Sequence, residues 1–426
     1  MKKLINILKK VPGLNATGRR LYRTFVYLRN LLLYRVIYRR RKLSIPIDSI
    51  LVGQQSGYPL KEWVEKTGEY ERVSLPVRDS PYTAFLRDIA ADEARLTDEV
   101  FLRNHSYFRM ASIALRHAEH FMGARTENEI FRIMRDFFDF YRSAEGGNQD
   151  PKLLSRRGHS SPETPIILDK IKYSNNYEVV DGHHRIAAAA IRGQNRIRAV
   201  IARERTSFLQ DLVLSGRQTH GDRELYQPLP QPEVRDWPAV RRCRDRLKMM
   251  EEFFRQERIE PKGLTLLDCS CSYGWFLQQF KRCDLTVIGI DRDPVPVRIG
   301  QIAYGLSPEE IIEQDLVDFL KQESGSYDIV LFLSLLHHFA IGQEKGDPAA
   351  ILNRLDEITE KALFLDTGQN HEQWWREKLP EWDDEFIIGM LRRHTSFGKI
   401  VKLGEDRDNT GTYRDQYRRS LFACLR

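Results

Sequence analysis

The stretch Gly263–Trp275 reads GLTLLDCSCSYGW. Gly263–Asp268 is an apolar run that ends in an acid, which suits a buried strand. Small residues follow in Cys269-Ser-Cys-Ser-Tyr-Gly274, and Phe276–Lys281 is helix-like. The same alternation repeats downstream. Leu285–Ile290 (LTVIGI) ends at Asp291, Ile311–Gln314 at Asp315, and Tyr327–Leu333 (YDIVLFL) at Ser334. Ala362–Leu365 is a fifth strand candidate, and Gly398–Leu403 with Ser420–Cys424 read as a final antiparallel pair. Strands alternating with helices specify an α/β fold with a doubly wound, mainly parallel sheet. Ligands of such sheets bind outside the carboxyl ends of the strands. Asp268, Asp291, Asp315 and Ser334 are therefore expected to line one crevice.

This order resembles the class I S-adenosylmethionine-dependent methyltransferases over roughly residues 240–426. That family has an acid-tipped first strand, a turn of small residues and an acid closing the second strand. The resemblance implies a seven-stranded sheet, S-adenosylmethionine as cofactor, and a cofactor site at Asp268, Ser270, Ser272, Gly274, Asp291, Asp315, Leu316 and Ser334. Asp291, 23 residues after Asp268, is placed to accept hydrogen bonds from both ribose hydroxyls. Asp315 is placed near the adenine amino group, with the Leu316 backbone NH beside it. The family's turn is glycine-rich. Here Gly274 is kept, while Ser270 and Ser272 stand where glycine is usual. A nicotinamide-binding fold would want Gly-x-Gly-x-x-Gly after its first strand, and the turn does not supply it.

His337 and His338 follow the fourth strand, where the methyl group would meet its acceptor. Either could remove a proton from an acceptor hydroxyl, although one histidine packed under the cofactor is an equally ordinary arrangement. Cys269 and Cys271 lack two further ligands at metal-binding spacing, so no metal is expected. Trp374, Trp375 and Trp382 fall in a region that often caps the acceptor pocket.

Upstream, Tyr177-Glu-Val-Val-Asp-Gly-His-His-Arg-Ile-Ala-Ala-Ala-Ala190 reads as a strand, a turn at Gly182 and an alanine-rich helix. Free backbone NH groups at such a helix start, with Arg and His beside them, suit an anion. The segment resembles the ParB/sulfiredoxin-like superfamily, whose comparable turn holds nucleotide phosphates. Ile45-Pro-Ile-Asp48 resembles that fold's first strand and Pro165–Leu168 the strand before the turn. The resemblance covers about 43–51 and 160–203, and implies a phosphate or nucleotide site at Asp181, Gly182, His183, His184 and Arg185. The helical stretches Tyr82–Asp92, Tyr107–Met122 and Glu127–Arg142 between them read as an insertion. Histidine stands where sulfiredoxin needs cysteine, and no helix-turn-helix follows. Sulfinic-acid reduction and DNA partition are therefore set aside.

Residues 1–42 carry 13 Lys and Arg and no acid, leaving 54 basic and 60 acidic residues for the rest. The net charge of +7 thus belongs to a basic arm on a mildly acidic body. Leu21, Phe25, Leu28, Leu32 and Val36 make a helical apolar stripe, with Arg19, Arg20, Arg23 and Arg39 to Arg41 off it or at its ends. Arg29 and Arg35 fall near the stripe, so the pattern is imperfect. The arm suits a membrane interface. It also fits packing on the body or on a second subunit, or a clamp on RNA. It is too charged to span a bilayer. Asn6, Lys9 and Lys10 interrupt any secretory signal, and five cysteines are too few for a disulfide scaffold. A cytoplasmic location is expected, with peripheral attachment to the inner face of the membrane.

The prolines of 216–238 give it a linker composition. The expected organisation is therefore a basic arm at 1–42, a ParB/sulfiredoxin-like α+β domain with a helical insertion at 43–215, a linker at 216–238 and a methyltransferase domain at 239–426. The expected function is methyl transfer to a glycan or lipid-linked sugar at the membrane surface, with a nucleotide or phosphate at the first domain, which would then act as a kinase or as a scaffold. The alternatives are an RNA methyltransferase and a non-catalytic, membrane-recruited binding module.

Overall fold

The computed structural model describes residues 41–55, 57–143, 165–216, 223–410, 414 and 418–426. All of the basic arm except Arg41 and Lys42 lies outside the described residues. Among those described, no helix is long and apolar enough to cross a membrane. The chain divides into two compact units. One holds the described residues up to Pro59 and from Pro76 to Arg205; the other holds Leu60–Leu75 and Thr206–Arg426.

The first unit contains a five-stranded sheet, with β1 (Leu43–Pro46), β2 (Ile50–Leu51), β3 (Ile166–Ile171), β4 (Tyr177–Asp181) and β5 (Arg196–Arg205) in the order β1-β5-β3-β4-β2. Leu43–Leu51 reads in sequence as one strand but is two. Pro46 ends the first piece, and a 3₁₀ turn at Ile47–Ser49 redirects the chain. Those two pieces pair with opposite edges, β1 antiparallel to β5 and β2 parallel to β4. A flat five-stranded sheet is about 19 Å across, and the four steps from Pro46 to Ile50 reach at most about 14 Å. The sheet must therefore curl towards closure.

Helices α1 (Leu60–Thr67), α2 (Pro81–Ala91), α3 (Glu99–Asn104), α4 (Ser106–Ala118) and α5 (Glu127–Ser143) come between β2 and β3. Helix α2 starts with Ser80 accepting from the Thr83 NH and Pro81 in its first turn. Helix α5 buries a stripe of Ile130, Phe131, Met134, Phe137 and Phe138. Helix α1 belongs to the second unit. Helix α6 (His183–Ile191) links β4 to β5, and α7 (Phe208–Ser215) opens on a capping box of Ser207 and Gln210.

The second unit is built on seven strands: β6 (Thr265–Asp268), β7 (Thr286–Asp291), β8 (Ile311–Glu313), β9 (Tyr327–Leu333), β10 (Thr359–Asp366), β11 (Lys399–Glu405) and β12 (Ser420–Leu425). Their order is β11-β12-β10-β9-β6-β7-β8. Strands β6 to β10 pair in parallel, and β12 is antiparallel to both β10 and β11. The helices are α8 (Arg244–Glu257), α9 (Trp275–Lys281), α10 (Pro294–Tyr304), α11 (Leu316–Gln322), α12 (Leu336–Ala340), α13 (Pro348–Ile358) and α14 (Asp384–His394). Buried clusters lie on both faces. Phe253, Phe276, Phe280 and Phe364 belong to one, and Phe332, Leu352, Leu365 and Ile387 to the other. This explains why β9 and β10 read as continuous apolar runs.

The polar, proline-rich stretch before the sheet is not an extended spacer. Its described part, residues 223–238, folds back on itself: the Leu225 NH donates to the Pro238 carbonyl at 2.8 Å and the Val240 NH to the Leu225 carbonyl at 2.8 Å. Leu225, Leu229, Val234 and Trp237 are buried. The apolar residues sit between the prolines, so composition hides them. Glu233 is also buried and accepts from the hydroxyls of Ser74 and Ser207. Burial pushes its carboxyl above the ordinary range, against the pull of those hydroxyls. The Glu233 carboxyl thus links three segments that are distant in sequence.

Candidate active site

The carboxyl ends of β6, β7, β8 and β9 open on a cleft of about 390 Å³, within the size range of small-molecule sites. Asp268, Ser270, Ser272, Asp291, Asp315, Leu316 and Ser334 line it. Gly274 does not. It has φ +76°, starts α9, and a Cβ there would come within 2.6 Å of a Leu306 methyl. Its role is the turn itself.

The turn is built from serines where glycine is usual, and both are tied into the backbone around the cleft. Ser270 Oγ donates to the Leu333 carbonyl at 2.8 Å. Ser272 adopts φ +52°, and its NH donates to Asp291 Oδ2 at 2.9 Å. Close approach is shifted onto Gly289 in β7, where a Cβ would come within 2.8 Å of Cys271 Sγ. Asp291 Oδ1 accepts from the Asp293 NH at 2.9 Å, so both carboxylate oxygens are fixed in place. Burial pushes the Asp291 carboxyl up to about 6. Asp315 caps α11 through Oδ1, accepting from the Val317 and Asp318 NH groups.

Several pocket residues escaped the sequence reading, among them four from segments that precede the sheet. Tyr226 and Gln227 come from the folded stretch before the sheet, and Arg241 and Arg246 from its junction with α8. The Gln227 side chain accepts from the Trp275 NH at 3.3 Å and so caps α9. Arg241 is 2% exposed and donates to Ser334 Oγ at 2.6 Å. Ser334, itself at φ +62°, donates a hydroxyl hydrogen bond to Asp366 Oδ1 at 2.7 Å. Arg246 donates to Asp366 at 2.8 Å. Its place on α8 is set by a reciprocal clasp. Asp408 accepts from the Arg244 and Asp245 NH groups, and Asp245 accepts from those of Arg407 and Asp408. Buried Asp366 is pulled below the ordinary range, because Arg246, Arg241 and Arg419 outweigh its desolvation.

Asp268 has weaker support, from the Ser270 NH and from Arg246. It is 1% exposed, and burial pushes its carboxyl to about 7, helped by Asp291 and Asp366. A cationic ligand group beside it would restore the charged form, whereas a proton competes for the same position. Cofactor affinity is therefore expected to fall as pH drops below about 7, approaching tenfold per pH unit. Calorimetric titration between pH 5.5 and 8.5 checks this, and a flat profile would remove the assignment of Asp268 to a cationic group. The sign is opposite for the ligand-free fold. A raised acid makes the folded state bind more protons, so stability is lost as pH rises from the unfolded value towards 7.

The two histidines part company. His337 is 1% exposed, packed on Trp375 and Gly368, and its NH donates to Thr367 Oγ1 at 3.0 Å. Burial, with Arg419, His338 and Arg241, holds it far below its ordinary value. It is a packed neutral ring that does not line the cleft. His338 does line it, and its Nδ1 lies 2.6 Å from Gln343 Oε1. Trp375 stands edge-on to both rings, and Trp382 is buried in the core.

In the first unit, Gly182 adopts φ +111° and turns β4 into α6. Arg185 pairs with Asp181 at 3.2 Å. The histidines face the inserted helices: His183 stacks on Tyr82, and His184 Nε2 lies 2.7 Å from the Tyr107 hydroxyl.

Comparison with known proteins gives three kinds of match. A family model described as a methyltransferase domain matches residues 240–406. The O-antigen chain terminator bifunctional methyltransferase/kinase WbdD of Escherichia coli is 23% identical over 171 residues, covering 38% of this chain and 24% of that protein. The ubiquinone biosynthesis O-methyltransferase of Xanthomonas axonopodis pv. citri (strain 306) is 27% identical over 115 residues, 26% of this chain and 45% of that one. The chain thus spans about a quarter of WbdD's length and under half of the other relative's. Among solved structures, the 2.2 Å crystal structure of WbdD matches with a TM-score of 0.42 at 20% identity, over 51% of this chain and 46% of that one. Magnesium protoporphyrin IX methyltransferase (ChlM) of Synechocystis PCC 6803 with bound SAM matches with a TM-score of 0.31 at 18% identity, over 43% and 78%. The family model falls on the strands that carry the cleft, and the sheet has the seven strands and the final antiparallel pair expected from the sequence. The carboxy-terminal half of this chain is a class I methyltransferase domain whose cofactor is S-adenosylmethionine.

Proposed function

We propose that the chain transfers a methyl group from S-adenosylmethionine to a hydroxyl of a glycan or lipid-linked sugar at a membrane surface. One observation carries the methyl-transfer part: the cleft gathers donors and acceptors matched to the cofactor's parts in the order of the strands. Arg241 or Arg246 would hold its carboxylate, Asp268 its ammonium, Asp291 the ribose and Asp315 with Leu316 the adenine. The bound cofactor supplies an electrophilic methyl group. His338 at the cleft takes the proton that the acceptor hydroxyl loses as its oxygen attacks. A cleft of about 390 Å³ remains beside the serine turn, which favours catalysis over a non-catalytic binding module.

Support for the acceptor class is the O-antigen activity in WbdD's name, together with the basic arm's amphipathic sequence. The test is transfer of labelled methyl from S-adenosylmethionine by the full chain, offered bacterial lipid-linked oligosaccharides and RNA in parallel. Label in the glycan supports the proposal. Label in RNA alone replaces it with the nucleic-acid reading, and the arm then becomes a phosphate clamp.

For the first unit, the proposal is a phosphate or nucleotide site at Gly182 and Arg185, bordered by Asp181, in a domain of the ParB/sulfiredoxin-like kind. The sharp turn at Gly182 into α6, with Arg185 one turn along, supports it. His183 and His184 then position the turn by packing. In this reading residues 43–215 serve the acceptor's phosphate and 239–426 the methyl group. Titration of the full chain with ATP and CTP, against Arg185→Ala, decides between a ligand site and a scaffold.

A further inference from the structure

We propose that Gln343 is a positioning residue that fixes His338 as the Nδ1–H tautomer, leaving Nε2 as the nitrogen that receives the acceptor's proton. This rests on the methyltransferase reading of the cleft and names a part of its machinery. The geometry is local and specific. His338 Nδ1 and Gln343 Oε1 are 2.6 Å apart, and a carbonyl oxygen can only accept, so the ring nitrogen facing it must carry hydrogen. With one nitrogen protonated in a neutral ring, the other holds the lone pair.

The loop is built to keep this contact. The Gln343 and Glu344 NH groups both donate to the His338 carbonyl, at 2.9 and 3.1 Å. These two hydrogen bonds to one carbonyl oxygen fold the chain back on α12 and set the Gln343 side chain beside the ring. Glu344 then pairs with Arg292, which follows β7, so the loop is tied across the cleft. His338, Gln343, Glu344 and Arg292 all line the cleft. On its other side the His338 ring packs against His337 at 4.1 Å and Trp375 at 5.8 Å between centroids. The ring is therefore held by packing on one side and by a single polar contact on the other.

The electrostatics suit a base. Burial lowers His338 from its ordinary value. Gln343 and Glu344 oppose this, while Arg419 and Arg292 reinforce it, with neutral His337 alongside. The ring is then neutral at physiological pH, with one lone pair to offer. A carboxylate in place of Gln343 would also take the Nδ1 proton but would favour imidazolium. An amide accepts the hydrogen and adds no charge.

The test is nitrogen-15 NMR of the full chain labelled in histidine, with the His338 signals identified by their loss in His338→Asn. S-adenosylhomocysteine is the bound probe. Wild type is expected to show protonated Nδ1 and bare Nε2. Gln343→Leu is expected to lose this preference while still binding S-adenosylhomocysteine. Gln343→Glu is expected to keep it and to titrate about one pH unit higher. A wild-type ring protonated at Nε2, or a tautomer unchanged in Gln343→Leu, overturns the proposal. These outcomes do not depend on methyl transfer. Absence of transfer with the expected tautomer would instead count against the proposed function. Where an acceptor is found, Gln343→Leu should lower kcat more than tenfold with little change in KM for the cofactor.

Discussion

Asp291→Ala will leave the chain folded and weaken S-adenosylmethionine binding by a hundredfold or more. The carboxylate offers charged acceptors to two ribose hydroxyls, and each such bond is worth roughly 1.5–3 kcal/mol, about 3–6 kcal/mol for the pair. Its present partners are backbone NH groups of Ser272 and Asp293 at the cleft edge, where water can replace them. The fold has little to lose, because burial already pushes this carboxyl up to about 6. A raised acid destabilises the empty fold once ionised, so Asp291→Asn should melt at or above the wild-type temperature at pH 8. Calorimetry and thermal melts of both variants give the answer. Unchanged affinity in Asp291→Ala would remove the ribose assignment.

The second large effect is on stability. Glu372 and Arg419 form a two-pronged pair at 2.8 and 2.9 Å, with side chains 0% and 2% exposed. Glu372 also accepts from the Gln369 NH and from the Trp374 ring NH. Glu372→Ala breaks a buried two-pronged ion pair by removing one partner, which costs about 3–5 kcal/mol. For a domain of this size that is a fall of roughly 6–20 °C in melting temperature. Arg419→Met added to Glu372→Ala should recover part of the loss, since an apolar chain needs no partner. A melting shift under about 2 °C for the single variant would show that water reaches the pair.

The parallel sheet was legible because burial on both faces forces long apolar runs, and β9 spans the Tyr327–Leu333 read from sequence. Strand-end acids were legible for the same reason: in an apolar run, Asp268 and Asp291 stand out. What stayed hidden depends on contacts distant in sequence. Arg241 and Arg246 sit among ordinary surface-like charges, Arg241-Arg-Cys-Arg-Asp-Arg246, and only the fold shows which of them are buried. His337 and His338 are adjacent and chemically identical. The turn at the head of α12 places one in the core and one in the cleft. Pro46 broke a strand whose composition read as continuous, and the prolines of 228–238 masked buried leucines and a tryptophan.

The folded stretch before the sheet has a practical consequence. A domain excised where the family resemblance begins, at residue 240, would keep every strand of the sheet. It would lose the ring of Tyr226 from the cleft wall and the side chain that caps α9. Arg241 would become the second residue of a frayed end. Fragments intended for transplantation or crystallisation should therefore start upstream of residue 223, and chimaeras that swap methyltransferase domains should carry this stretch with its own sheet.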